Sequence, residues 1–169
     1  KHVLQPDYTI QSLLLTFPSS DLISEEISSQ EIEKALLNLL NVNNGDLAPQ
    51  TGQHIGELLV SKVYEKDEKK HIWNLILMVS EKPNKGNIIA LKYVVGKLGK
   101  YSKSSLSNVT KVLIGLKSEN LVYSALLALR TLFKVCGETI EQNVNAAFNL
   151  AKSKLTSADE KVQIASIRL

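Results

Sequence analysis

Apolar residues recur every three or four positions along most of the chain, with short polar breaks between the runs. Ile32, Ala35, Leu36, Leu39 and Leu40 predict a helix over 30–41. Asn43, Asn44, Gly45 and Asp46 interrupt it. Pro49 opens a second helix, in the first turn where a missing N–H costs no hydrogen bond. Ile55, Leu59 and Val63 carry that helix to about Tyr64. The charged stretch 66–70 reads as a turn. Ile72, Leu75, Ile76 and Val79 predict a third helix, ended near Pro83. A helix over 87–100 sets Ala90, Leu91, Val94, Val95 and Leu98 on one face. Leu106, Val109, Val112, Leu113 and Leu116 predict the next. Val122, Ala125, Leu126, Leu129, Leu132 and Phe133 follow, with Gly137 expected to stop the helix just past its end. Ile140, Val144, Ala147, Phe148, Ala151 and Leu155 predict another apolar face. Ser157 and Glu160 have the spacing of a capping box, from which a last helix starts.

A small residue returns in every second helix: Gly56, Ala90, Ala125 and Ala165, at intervals of 34, 35 and 40 residues. Apolar residues follow at fixed offsets. Four positions on stand Val60, Val94, Leu129 and Leu169; eight on stand Tyr64, Leu98 and Phe133. An all-helical period of roughly 35–45 residues resembles HEAT and armadillo repeats. The expected fold is therefore all-α, a right-handed α-solenoid of antiparallel helix pairs with no sheet. Residues 30–169 would hold about four pairs, and 1–29 would form a helical extension or cap. Each small residue is expected to be buried where the two helices of a pair cross, because a short side chain lets backbones approach.

Composition adds little to that picture. Aromatic residues make up 5% of the chain while aliphatic residues abound, which suits stacked helices. Cys136 is the single cysteine, so the chain has no internal disulfide and a reducing compartment fits. It falls on the apolar side of its helix and reads as a buried structural thiol. No apolar run reaches the roughly 18–20 residues of a membrane span. The chain begins at Lys1 and ends at Leu169 within an apolar pattern, so it is expected to be a piece of a longer protein, truncated at its C-terminal end.

Charge is more telling. Between Lys82 and Ser118 there are eight lysines and no acid. Residues 1–33 hold Asp7, Asp21, Glu25, Glu26, Glu31 and Glu33 against Lys1 alone. At 100° per residue Lys92, Lys97 and Lys100 lie opposite the apolar face of their helix. With Lys103, Lys111 and Lys117 they form a candidate surface for acidic protein segments, the chain's own N-terminal segment included. The other reading is a solvated face that keeps the stack soluble. The stretch has no arginine, which argues against precise phosphate recognition and makes nucleic acid an unfavoured partner.

Nothing in the chain has the pattern of catalysis. His2, His54 and His71 lack metal-ligand spacing, and no nucleophile and base stand in register. Gly96 and Gly99 match the spacing of an RNA-clamping GxxG loop but lie within a helix pattern. Asn108 and Thr110 form a glycosylation sequon on a predicted helix, read as chance. No cofactor, metal or enzymatic activity is expected.

Residues 52–169 also resemble the N-terminal solenoid of the very large HEAT-repeat proteins that accompany the AP-1 clathrin adaptor. The resemblance is carried by the order of four segments: Leu58 to Tyr64, Ile72 to Ile76, Ala90 to Gly99, and Asn108 to Ser118. It implies a non-enzymatic cytoplasmic scaffold in vesicle traffic, peripheral at Golgi or endosomal membranes through its partners. Alternatives are a tubulin-binding array of the TOG type and a piece of a nuclear transport receptor. The basic stretch suits acidic tubulin, but TOG arrays place a Trp in turns between helices, whereas Trp73 falls within a helix pattern.

Overall fold

The computed structural model describes residues 29–41, 45–64, 72–98 and 103–169. Among them every regular element is helical and no strand occurs. Eight α-helices follow in order: α1 Ser29–Leu40, α2 Ala48–Leu58, α3 Ile72–Glu81, α4 Lys85–Leu98, α5 Lys103–Ile114, α6 Glu119–Cys136, α7 Val144–Lys154 and α8 Glu160–Ile167. The expected extension lies almost wholly outside the described residues, as do His2, His71, Asn43, Asn44 and Lys100.

The helices alternate between two layers. α2 packs on α4, α4 on α6 and α6 on α8; in the other layer α3 packs on α5 and α5 on α7. Consecutive helices also touch across the layers, as in α3 with α4 and α5 with α6. One continuous core runs from Leu36 to Ile140 between the layers. A small second cluster joins Val122 and Leu126 of α6 to Val162 and Ala165 of α8.

Gly56, Ala90, Ala125 and Ala165 are all buried. Their setting differs from the expectation, however. A Cβ built on Gly56 would lie 2.9 Å from Tyr93 Cβ and 3.0 Å from the Ala90 carbonyl oxygen, both on α4. The close approach is thus between neighbours within one layer, not between the two helices of a pair. Gly52, one turn earlier, meets the backbone of Gly86 directly: an added Cβ would collide with its carbonyl oxygen and lie 2.9 Å from its carbonyl carbon. Two small residues on each helix, four positions apart, therefore set the α2–α4 spacing.

Helix ends explain several shifts in boundary. α2 continues as a π-helical turn, Leu59–Tyr64, which turns Leu59, Val63 and Tyr64 all inward. α4 starts two residues earlier than expected because Asn84 and Asn87 cap each other's backbone. Asn84 Oδ1 accepts from the Asn87 amide and Asn87 Oδ1 accepts from the Asn84 amide, both at 2.9 Å. This is a capping box built from two asparagines. Asn84 Nδ2 also donates to the Leu40 carbonyl at 3.0 Å, so one side chain serves the end of α1 and the start of α4. The last helix begins from Asp159, which accepts from the Lys161 amide at 2.8 Å, and not from Ser157. Ser157 instead accepts from the Asp159 amide. Gly137 is right-handed, with φ −50° and ψ −48°, and opens a 3-10 turn. The only left-handed glycine among the described residues is Gly45, φ 55°, in the break after α1.

Two apolar faces are rotated from their expected positions. In α1 the buried set is Glu33, Leu36, Leu37 and Leu40, while Ala35 is exposed. In α7 Ala147 and Ala151 are buried and Leu150 packs half-buried against the core, while Val144, Phe148 and, just past the helix, Leu155 are exposed. The apolar stripe of α7 is wider than its neighbours cover, and the small residues occupy the covered side.

Candidate functional site

The six candidate lysines do not share one helix face. Lys92 and Lys97 are on α4; Lys97 is exposed, and Lys92 is half-buried with Nζ 5.4 Å from the centre of the Tyr93 ring. Lys103 opens α5 and Lys111 is exposed near its end, in the other layer. Lys117 is exposed in the turn before α6. Lys100 lies outside the described residues.

The acidic N-terminal stretch holds an unforeseen feature. Glu33 is 2% exposed. Its Oε1 accepts from the Tyr64 hydroxyl at 3.4 Å and from Asn74 Nδ2 at 3.3 Å. Burial and the adjacent Glu33 carboxylate push the Tyr64 phenol well above its ordinary range. The phenol therefore stays a donor to the carboxylate, and the node ties α1, the π-helical turn and α3 together. A second polar tie links α5 to the turn before α7: Gln142 Nε2 donates to Ser107 Oγ at 2.6 Å and buried Asn143 donates to the same oxygen at 3.3 Å. These ties position helices and show no reacting group. Among the described residues no three His, Cys, Asp or Glu side chains gather as metal ligands. Cys136 is buried. Thr110 of the sequon is fully buried, its hydroxyl donating to the Leu106 carbonyl at 2.6 Å, while Asn108 is exposed on the helix.

An apolar surface groove lies at the α6–α8 end of the described residues. It measures about 690 Å³ and is lined by Phe133 of α6, Val144, Phe148 and Leu155 along α7, and Ile167 and Leu169 at the end of the chain. Its walls are predominantly apolar. Phe148 is 65% exposed and Ile167 73%. Large apolar side chains this open to water, grouped on one groove, mark an interaction surface more often than a catalytic one. The sequence holds a signal for it, the over-wide apolar stripe of α7.

Fold and surface together define an all-α protein of two helix layers with an apolar groove at one end. No helix among the described residues is long and apolar enough to cross a membrane. The chain matches no family model, no curated protein and no solved structure.

Proposed function

We propose that this chain is an α-solenoid segment of the HEAT or armadillo kind that works as a non-enzymatic protein-binding scaffold. The observation that carries the reading is the two-layer helix stack, in which α2, α4, α6 and α8 pack in series and an apolar groove opens beside α7 and α8. Repeat stacks present long surfaces to partners, and each helix pair contacts only its neighbours. The same-layer contacts at Gly56 and Ala90 fit that scheme. Lys97 on α4 and Lys111 and Lys117 in and after α5 are exposed and would add a general attraction for acidic partners. Such contacts are exposed and salt-screened, on the order of 0–1 kcal/mol each.

The finer assignment, a cytoplasmic scaffold of AP-1 clathrin-adaptor traffic at Golgi or endosomal membranes, rests on the order of segments in residues 52–169. One observation favours a second reading, tubulin binding. Trp73 is the second residue of α3 and is 51% exposed. The test is a pull-down with the immobilised chain, offering purified AP-1 and purified tubulin separately. Capture of AP-1 with tubulin washing through is the expected result. Capture of tubulin alone favours the second reading, and capture of neither removes both assignments.

A further inference from the structure

The sequence contains two arginines, Arg130 on α6 and Arg168 just after α8. The fold brings both to one pocket of about 260 Å³ between these helices. Lys161 joins them there, and Tyr123, Leu127 and Ile164 supply apolar wall. No acidic residue lines the pocket. Among the described residues none of the three cations is paired with a carboxylate. The pocket lies in the same layer as α4 with its Lys97, and apart from the apolar groove between α7 and α8.

Three cations around an apolar wall ask for a ligand with two properties. It must carry negative charge on paired oxygens that an arginine fork can grip with two hydrogen bonds. It must also bring an aliphatic side chain to cover Leu127, Ile164 and the Tyr123 ring. A phosphate backbone or lipid headgroup meets the first demand and leaves the second unmet. We propose that this pocket receives an acidic segment of a partner protein, with one or two carboxylates flanking a Leu, Ile or Val. The proposal rests on the scaffold reading and names the chemistry of one docking site within it. The lysines of α4 would raise the encounter rate, while the pocket would supply selectivity.

The test is an array of labelled 12-residue peptides in which a Leu, Ile or Val is placed within three positions of two Asp or Glu residues. Each has a partner peptide with the aliphatic residue changed to Ser. Hits are measured in solution by fluorescence polarisation against the full chain. The expected result is a set of acidic-aliphatic peptides whose affinity drops at least tenfold on the change to Ser. It should drop at least tenfold again in the Arg130→Glu, Arg168→Glu double variant, and change less than threefold in Lys92→Glu, Lys97→Glu. Arg130→Gln with Arg168→Gln gives the same reading should charge reversal disturb folding, as judged by circular dichroism. Absence of any peptide hit overturns the proposal, as does binding that the arginine variants leave intact. It is also overturned if those variants instead abolish binding to phosphatidylserine vesicles, which would make the pocket a membrane contact. Adaptor capture that persists in the double variant removes this pocket and leaves the scaffold standing. Peptide binding without capture of either proposed partner removes those partners and leaves the pocket.

Discussion

The α2–α4 contact and the α6–α8 contact use the same repeat position in different ways. At α2–α4, Gly52 and Gly56 bring one helix directly onto the backbone of the other at Gly86 and Ala90. At α6–α8 the corresponding residues are Ala125 and Ala165, also buried, but only a small apolar cluster joins the helices. Grooves lie on either side of α8, and Ile164 and Ile167 stand exposed. Equivalent small residues therefore do not produce equivalent contacts. Where glycine meets glycine the interface becomes backbone on backbone, closed and sensitive to a single carbon. Where alanine meets larger neighbours the interface stays open and offers surface to a partner.

The largest effect should come from closing off the glycine contact. Gly52→Ala gains about 1 kcal/mol of helix propensity. Its Cβ would collide with the Gly86 carbonyl, and backbone cannot move aside as a flexible side chain can. The net expected change is a loss of about 2–3 kcal/mol, read as a lower urea midpoint. An unchanged midpoint would show that α2 and α4 are not in backbone contact.

Tyr64→Phe at the same end should cost about 1–3 kcal/mol, because it leaves the buried Glu33 carboxylate with one partner fewer. Its pH dependence has a definite sign. The folded-state phenol is raised above its ordinary value of 10.0, so the native chain holds a proton that the unfolded chain releases above that pH. The stabilisation is complete below about pH 10 and shrinks as pH rises beyond it. Unfolding curves of the two proteins should therefore converge in strong alkali; a gap that widens there would contradict the account.

A glycine outside the close contact should behave in the opposite way. Gly96 on α4 is exposed, and an added Cβ would meet only Thr131 Cγ2, at 3.4 Å. Gly96→Ala should raise stability by up to about 1 kcal/mol through helix propensity. Thermal denaturation reads it, and a fall in Tm would mean that α4 and α6 approach as closely as α2 and α4. The smallest effect belongs to the open end. Phe148→Ser should alter stability by less than about 0.5 kcal/mol, since the ring is largely in water already. A large loss would show that the ring packs into a core.

Much of the architecture was legible in the chain. Helical spacing placed all eight helices, and the small-residue series pointed to four buried positions in one layer. What those residues touch was not legible, because periodicity reports the inward face of a helix and not the helix that covers it. The same limit hides Glu33: in the sequence it is one of six acids in a segment that could dock on the lysines, and only the fold brings Tyr64 and Asn74 to it from 31 and 41 positions away. Phe148 shows a related limit. The stripe Val144, Phe148, Leu155 has the spacing of a core face, and the spacing alone does not say that no helix lies over it. The arginine pocket left no local trace, since Arg130 and Arg168 meet only through the α6–α8 packing.

Amide hydrogen exchange on the intact chain tests the contrast between the two ends most directly. The account predicts the slowest exchange along α4, which is buried against α2, α3 and α6, and markedly faster exchange along α8, which packs chiefly on α6 and α7. Protection of α8 equal to that of α4 in a monomeric sample would contradict it, since a helix so protected would not border open docking surface.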